Sequence, residues 1–147
     1  MQEVKVPAGA WVAVCDGAKA LLLRNAGGGR RLNLTVHETL TQPNAADREL
    51  GTDKPGRAHQ ADRTSGSAVE ETSWHEQAEA EFLKQVAGKL DDLVRVHAAK
   101  SIVLIAPPRA LGMLRPALGA AASAAVTAEV PKDLVNLPVG DIERYLA

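Results

Sequence analysis

His75 and Glu79 stand four residues apart in "SWHEQAEAEF", a spacing that puts an imidazole and a carboxylate on one face of a helix, where they could grip a metal ion. Such a site needs further ligands. The chain has no HExxH pattern and no second His or Cys pair to supply them, so the two residues read first as a solvated opening turn. Asp16 is the second candidate. It ends the apolar run "WVAVC", where a sheet can present a magnesium-holding nuclease carboxylate, but that chemistry requires two or three carboxylates that converge. Asp91, Glu129 and Asp141 have no spacing that forces convergence, and Asp16-Gly17 already makes sense as a tight hairpin turn with positive φ. Gly27-Gly28-Gly29 lacks the GxxxxGK[ST] pattern of a phosphate cradle and joins two strands, which makes it a hairpin loop. Cys15 has no evident histidine partner and sits among apolar residues, so it reads as a buried thiol. There is no GxSxG nucleophile elbow. On the residues alone, no catalytic set, metal site or small-molecule cofactor is expected.

The elements that would position these residues are clearer. "WVAVC" (Trp11–Cys15) is apolar throughout, as a strand covered on both faces should be. "AKALLLR" returns as a second, mostly apolar strand. In "RLNLTVH" Leu32, Leu34 and Val36 alternate with polar residues, the pattern of an outer strand with one wet face. From about Trp74 to Ala98, Trp74, Ala78, Phe82, Val86, Leu90 and Val94 recur every four residues, which predicts a long amphipathic helix. Ser73 and Glu76 form a capping-box pattern at its start. Glu76, Glu79 and Glu81 near the beginning and Lys89, Arg95 and Lys100 toward the end match the helix dipole. Trp11 and Trp74 read as apolar anchors of the first strand and of this helix. "SIVLIA" is another fully apolar strand, and "PPRALGMLRPAL" gives short helical pieces broken at Gly112 and Pro116. "VTAEVP" is an outer strand. "PVGDIERYLA" closes as a helix with Val139, Ile142 and Leu146 inward. Central strands buried on both faces and edge strands buried on one lead to a single α/β domain over residues 1–147. Its sheet is a mixed one of five strands in the order 3-2-1-4-5.

Composition sets the outer bounds. The 147 residues are 46% hydrophobic and 24% charged but only 3% aromatic, so the core must be aliphatic and alanine-rich. A formal net charge of −1 lacks the basic surplus of a dedicated nucleic-acid binder while leaving room for a local basic patch. A single cysteine permits no internal disulfide and suits a reducing compartment. With no signal-peptide pattern and no apolar run long enough to span a bilayer, a cytoplasmic location is expected and a membrane partner is not.

Between the third strand and the long helix lies a polar connection, about residues 43–72, that cannot build a core. A connection of this length inside a small domain is usually functional or disordered. Its charges nearly cancel, with Arg48, Lys54, Arg57 and Arg63 set against Asp47, Glu49, Asp53 and Asp62, and His59 able to tip the balance. Pro55-Gly56 forms a turn that presents Arg57. Three readings stay open: a loop facing the ribosome or RNA, with Arg48, Lys54, Arg57, His59 and Arg63 as contacts; a protein-docking loop; or an insertion with no partner.

The segments "GAWVAVCDGAKALLLRN", "DRELGTDKPGR", "SAVEETSWHEQAEAEFLKQVAGKLD", "IVLIAPPRALGMLRPAL" and "VPKDLVNLP" together resemble the bacterial host attachment protein family, across almost the whole chain. That family is grouped with bacterial relatives of the archaeal and eukaryotic peptide-chain release factors. The resemblance implies the fold of their middle domain, an α/β sheet of the ribonuclease H-like kind. In those factors a Gly-Gly-Gln loop before the long helix enters the ribosomal peptidyl-transferase centre. Here the comparable place reads "TSGSAVEE", without the tripeptide. The resemblance therefore carries over the fold and the position of the loop, and not peptide release. It implies a non-enzymatic, release-factor-like protein whose polar loop binds a macromolecular partner. The enzyme alternative is a metal-dependent hydrolase or nuclease acting on RNA or on a translational ester.

Overall fold

In a computed structural model of the chain, the described residues are 6–27, 32–42 and 68–146, with side chains of the long helix from Trp74 onward. Strand β1 (Trp11–Cys15) lies at the centre. It pairs antiparallel with β2 (Lys19–Asn25), Trp11 opposite Arg24 and Cys15 opposite Ala20. On its other side it pairs in parallel with β4 (Ile102–Ile105). The edges are β3 (Leu34–Thr41), antiparallel to β2, and β5 (Val126–Val130), parallel to β4. The order β3-β2-β1-β4-β5 is the one expected. Helix α1 (Ala68–Arg95) leads into β4, α2 (Pro108–Ala117) and α3 (Ala120–Ala125) connect β4 to β5, and α4 (Val139–Leu146) ends the chain.

Side chains alternate across a strand, so the two apolar central strands feed two cores. On one face Trp11, Ala13, Cys15, Leu22, Ile102 and Leu104 pack against Phe82, Leu83, Val86 and Leu90 of α1, with Leu111, Leu114 and Ala122 behind. On the other face Val12, Val14, Leu23, Val103 and Ile105 meet Leu134, Val135, Ile142 and Leu146. Among the described residues no helix is long and apolar enough to cross a membrane.

Several expectations are corrected. The β1–β2 turn has no positive φ at Gly17; Asp16 shapes it through its side chain instead. Strand β3 starts later and breaks its alternation, because pairing passes from Leu22 opposite Glu38 to Leu23 opposite Val36 and leaves His37 as the extra residue of a bulge. Residues six apart share a face in an unbroken strand. Here Leu34 joins the α4 side while Leu40 packs on the α1 side, and Val36 is 51% exposed. Helix α1 begins at Ala68, so Ser73 is inside it and caps nothing, and the three glutamates lie beyond the first turn, where the dipole acts. Trp11 is the anchor it was read to be at 4% exposure, but Trp74 is 63% exposed. Helix α2 runs through Gly112 and includes Pro116, ending at Ala117.

Candidate functional site

The carboxyl ends of β1 and β4 and the early turns of α1 meet at one edge of the sheet. Asp16 follows β1 and accepts hydrogen bonds through Oδ1 from the amides of Ala18 and Lys19, each at 2.8 Å. That Asx turn holds the chain flat enough for Glu79 of α1 to lie against Gly17, where a Cβ would sit only 2.7 Å from the Glu79 Cγ. Glycine here permits the close approach of the Glu79 side chain, which would have to shift to admit a Cβ. Gln42, at the end of β3, fastens the same turn: its amide donates to the Ala18 carbonyl at 2.8 Å and its Nε2 to the Gly17 carbonyl at 3.1 Å. Arg109, in the first turn of α2, bridges to Glu79 at 3.3 Å and to Glu76 at 3.6 Å. Asp16, Gly17, Glu79, Arg109, Pro107 and Met113 line a crevice of about 200 Å³.

Beside it runs a larger groove of about 550 Å³. Trp74, Ala78 and Phe82 form its apolar stripe at the four-residue spacing of a helix face, with Gln42, Gln77 and Gln85 as amide walls and Glu81 on the rim. Phe82 is buried and Trp74 is exposed, so the stripe runs from the core out to solvent. Gln42 is the last described residue before the polar connection, and Trp74 is the first described side chain after it. Gln42, at the end of β3, and Trp74, six residues into α1, thus line one groove. Arg48, Lys54, Arg57, His59 and Arg63, the contact residues read from the sequence, lie outside the described residues.

The carboxylates that a nuclease would have to gather are engaged separately. Asp91 caps helix α3, accepting from the amides of Gly119 at 3.0 Å and Ala122 at 3.1 Å. Glu129 takes two N–H groups of Arg115 on one oxygen, at 2.9 and 2.5 Å. Asp141 pairs with Arg144 at 3.3 Å. His75 is exposed, and its presumed partner Glu79 is turned to Arg109. Among the described residues no three His, Cys, Asp or Glu side chains are grouped to hold a metal ion. Gly27 donates its amide to Asn25 Oδ1 at 3.0 Å; Gly28 and Gly29 lie outside the described residues. Cys15 is buried, and burial first, then the neighbouring Asp16 charge, pushes its thiol up to about 12.

One cluster escaped the sequence reading. At the opposite end of the sheet, His37 from the β3 bulge and His97 just past α1 pack over Trp11, with ring centroids 4.9 and 5.7 Å from the indole and 5.0 Å from each other. Arg24 places its Cζ 5.9 Å from the Trp11 ring centroid. Hairpin pairing could have put Arg24 beside Trp11. Nothing in the spacing could have brought in His37, whose position depends on the bulge, or His97, whose position depends on the helix end.

No curated protein matches the chain. The family comparison does give a match, and it covers the sheet, the long helix, the crevice and groove beside it, and the closing helix together. With residues 9–146 matched, the chain belongs to the bacterial archaeo-eukaryotic release factor family 12.

Proposed function

We propose that the chain is a non-catalytic, release-factor-like docking module that binds the ribosome through the edge where its polar connection leaves and rejoins the fold. The observation that carries this reading is the shared groove: Gln42, at the end of β3, and the exposed Trp74 of α1 line the same cleft. The family relation is consistent with a partner in translation. The missing Gly-Gly-Gln tripeptide argues for docking without peptide release. Within the connection, Arg48, Lys54, Arg57, His59 and Arg63 contact phosphates, while the exposed Trp74 ring anchors the module in the manner of an interface hot spot. A cytoplasmic location goes with this role. An effect on attachment to host cells would follow indirectly, through translation or regulation.

A second reading is favoured by one observation. Glu81 lines the groove beside the apolar stripe of Trp74, Ala78 and Phe82, while Glu76 and Glu79 are turned to Arg109. A carboxylate beside an apolar stripe suits a basic polypeptide better than a phosphate backbone. On that reading the partner is a protein off the ribosome.

Sedimentation of tagged protein in lysate through a gradient at low and moderate salt separates the two. Wild type is run beside Trp74→Ala and an Arg57→Glu/Arg63→Glu double variant. Co-migration with ribosomal particles, lost in both variants and weakened by salt, is the expected result. Wild type that stays at the top of the gradient at every salt sinks the ribosome reading. A nuclease-resistant, Trp74-dependent complex found there would establish the protein partner in its place.

A further inference from the structure

We propose that Arg24, His37 and His97 form a phosphate-binding patch at the end of the molecule away from the groove. The three side chains come from three elements, β2, the β3 bulge and the tail of α1, and all three are exposed. They converge on Trp11, which is 4% exposed and serves as the floor that fixes them. Their positions are thus set before any ligand arrives, which lowers the ordering cost of binding.

The patch has no acid of its own. Among the described residues none of the three side chains makes an ion pair or a hydrogen bond. The acids nearest in sequence are occupied: Glu38 is held by Lys89 at 3.0 Å, and Asp92 by Arg95 at 2.7 Å. Lys100 follows on the exposed chain and adds positive charge. In a chain of net charge −1, a forked guanidinium beside two imidazoles, with Glu38 and Asp92 already paired, is a receptor short of an anion. A metal ion is a poor fit, because only two ligand nitrogens are offered and Arg24 lies over the same indole. The bulge supports a functional role as well: it turns His37 out of the strand alternation toward Trp11.

The ligand chemistry is a phosphate, carried either by an RNA backbone or by a mononucleotide. The proposal stands apart from the docking edge, since α1 separates the two by about 30 Å from Trp74 to Arg95.

The test uses the whole purified chain with labelled short single-stranded RNA, with ATP, and with inorganic phosphate, at low salt. Wild type should bind a phosphate probe. Arg24→Ala should weaken binding about tenfold. His37→Gln/His97→Gln should weaken it as well. All three positions are exposed, and circular dichroism checks that the variants fold. RNA bound in preference to ATP and phosphate assigns the patch to a polymer backbone, and equal binding of ATP assigns it to a nucleotide; either outcome supports the patch. Wild type that binds none of the probes overturns it. So does binding that survives these variants and is lost only in Arg57→Glu/Arg63→Glu, which would move phosphate recognition to the polar connection.

Discussion

At the residue scale, Cys15 and Asp16 are chain neighbours with opposite surroundings. Asp16 is half-buried and hydrogen-bonded to two amides, while Cys15 faces the α1 core and has its thiol raised to about 12 by burial and by Asp16. The raised value makes Cys15 a structural thiol at neutral pH, and it links stability to alkaline pH with a definite sign. Below the ordinary thiol value of 9.0 both folded and unfolded chains keep the proton, and the contribution is intact. Above it the unfolded chain loses the proton first, so stability falls by about 1.4 kcal/mol per pH unit until the folded thiol also titrates near 12. Replacing Cys15 by Ala removes the titration and leaves a packing loss that does not depend on pH. The stability gap between wild type and Cys15→Ala, measured by urea unfolding, should therefore shrink by about 2 kcal/mol between pH of about 8 and about 10.5. A constant gap would show that the thiol is not held neutral by burial.

At the scale of elements, the sheet order was legible because runs such as "WVAVC" and "IVLI" are apolar at every position, and only a strand with both faces covered tolerates that. The long helix was legible from its four-residue stripe. Its ends were not. Ser73 carries a capping pattern, yet the helix begins five residues earlier at Ala68, since a cap signal is local and the helix is set by the core its stripe covers. The bulge at His37 was invisible for a related reason: it is defined by pairing with β2 and not by the residues of β3 themselves. The same bulge hid the His37–His97–Trp11 cluster. The proposed docking edge was half legible. The polar connection declared itself by composition, but the exposure of Trp74 did not, because a tryptophan in an apolar stripe reads as core.

The far end of α1 shows where an element carries strain. Ala98 takes a φ of 55°, and the chain closes back through the Ala99 amide to the Leu93 carbonyl at 3.0 Å. A left-handed residue with a Cβ costs roughly 1 kcal/mol that glycine avoids, partly offset by glycine's greater freedom when unfolded. Ala98→Gly should accordingly raise stability by up to about 1 kcal/mol, read as a higher urea midpoint with an unchanged slope. A lower midpoint would mean that the Cβ of this exposed residue contributes more than the backbone strain removes.

At the scale of the whole molecule, the sheet is covered unequally. Three helices pack on one face, while the other is closed by α4 and the segment that leads into it, through Leu134, Val135, Ile142 and Leu146. Helix α4 also ties down the β3 edge, where Glu143 Oε2 accepts the Leu34 amide at 2.6 Å. Ile142 is fully buried in this core, so Ile142→Ala should cost about 2–5 kcal/mol and lower the unfolding temperature. Trp74 occupies the opposite situation, a large apolar side chain that the fold leaves mostly in solvent. Its removal should change stability by no more than about 0.5 kcal/mol. The pair separates folding from docking. Trp74→Ala should keep the wild-type unfolding curve and lose co-sedimentation, whereas Ile142→Ala at a temperature where it is folded should keep its partner. If Trp74→Ala unfolds as readily as Ile142→Ala, the indole is part of the fold and the groove loses its claim to a partner. If it does not, and co-sedimentation is lost, the indole acts in docking and not in the fold.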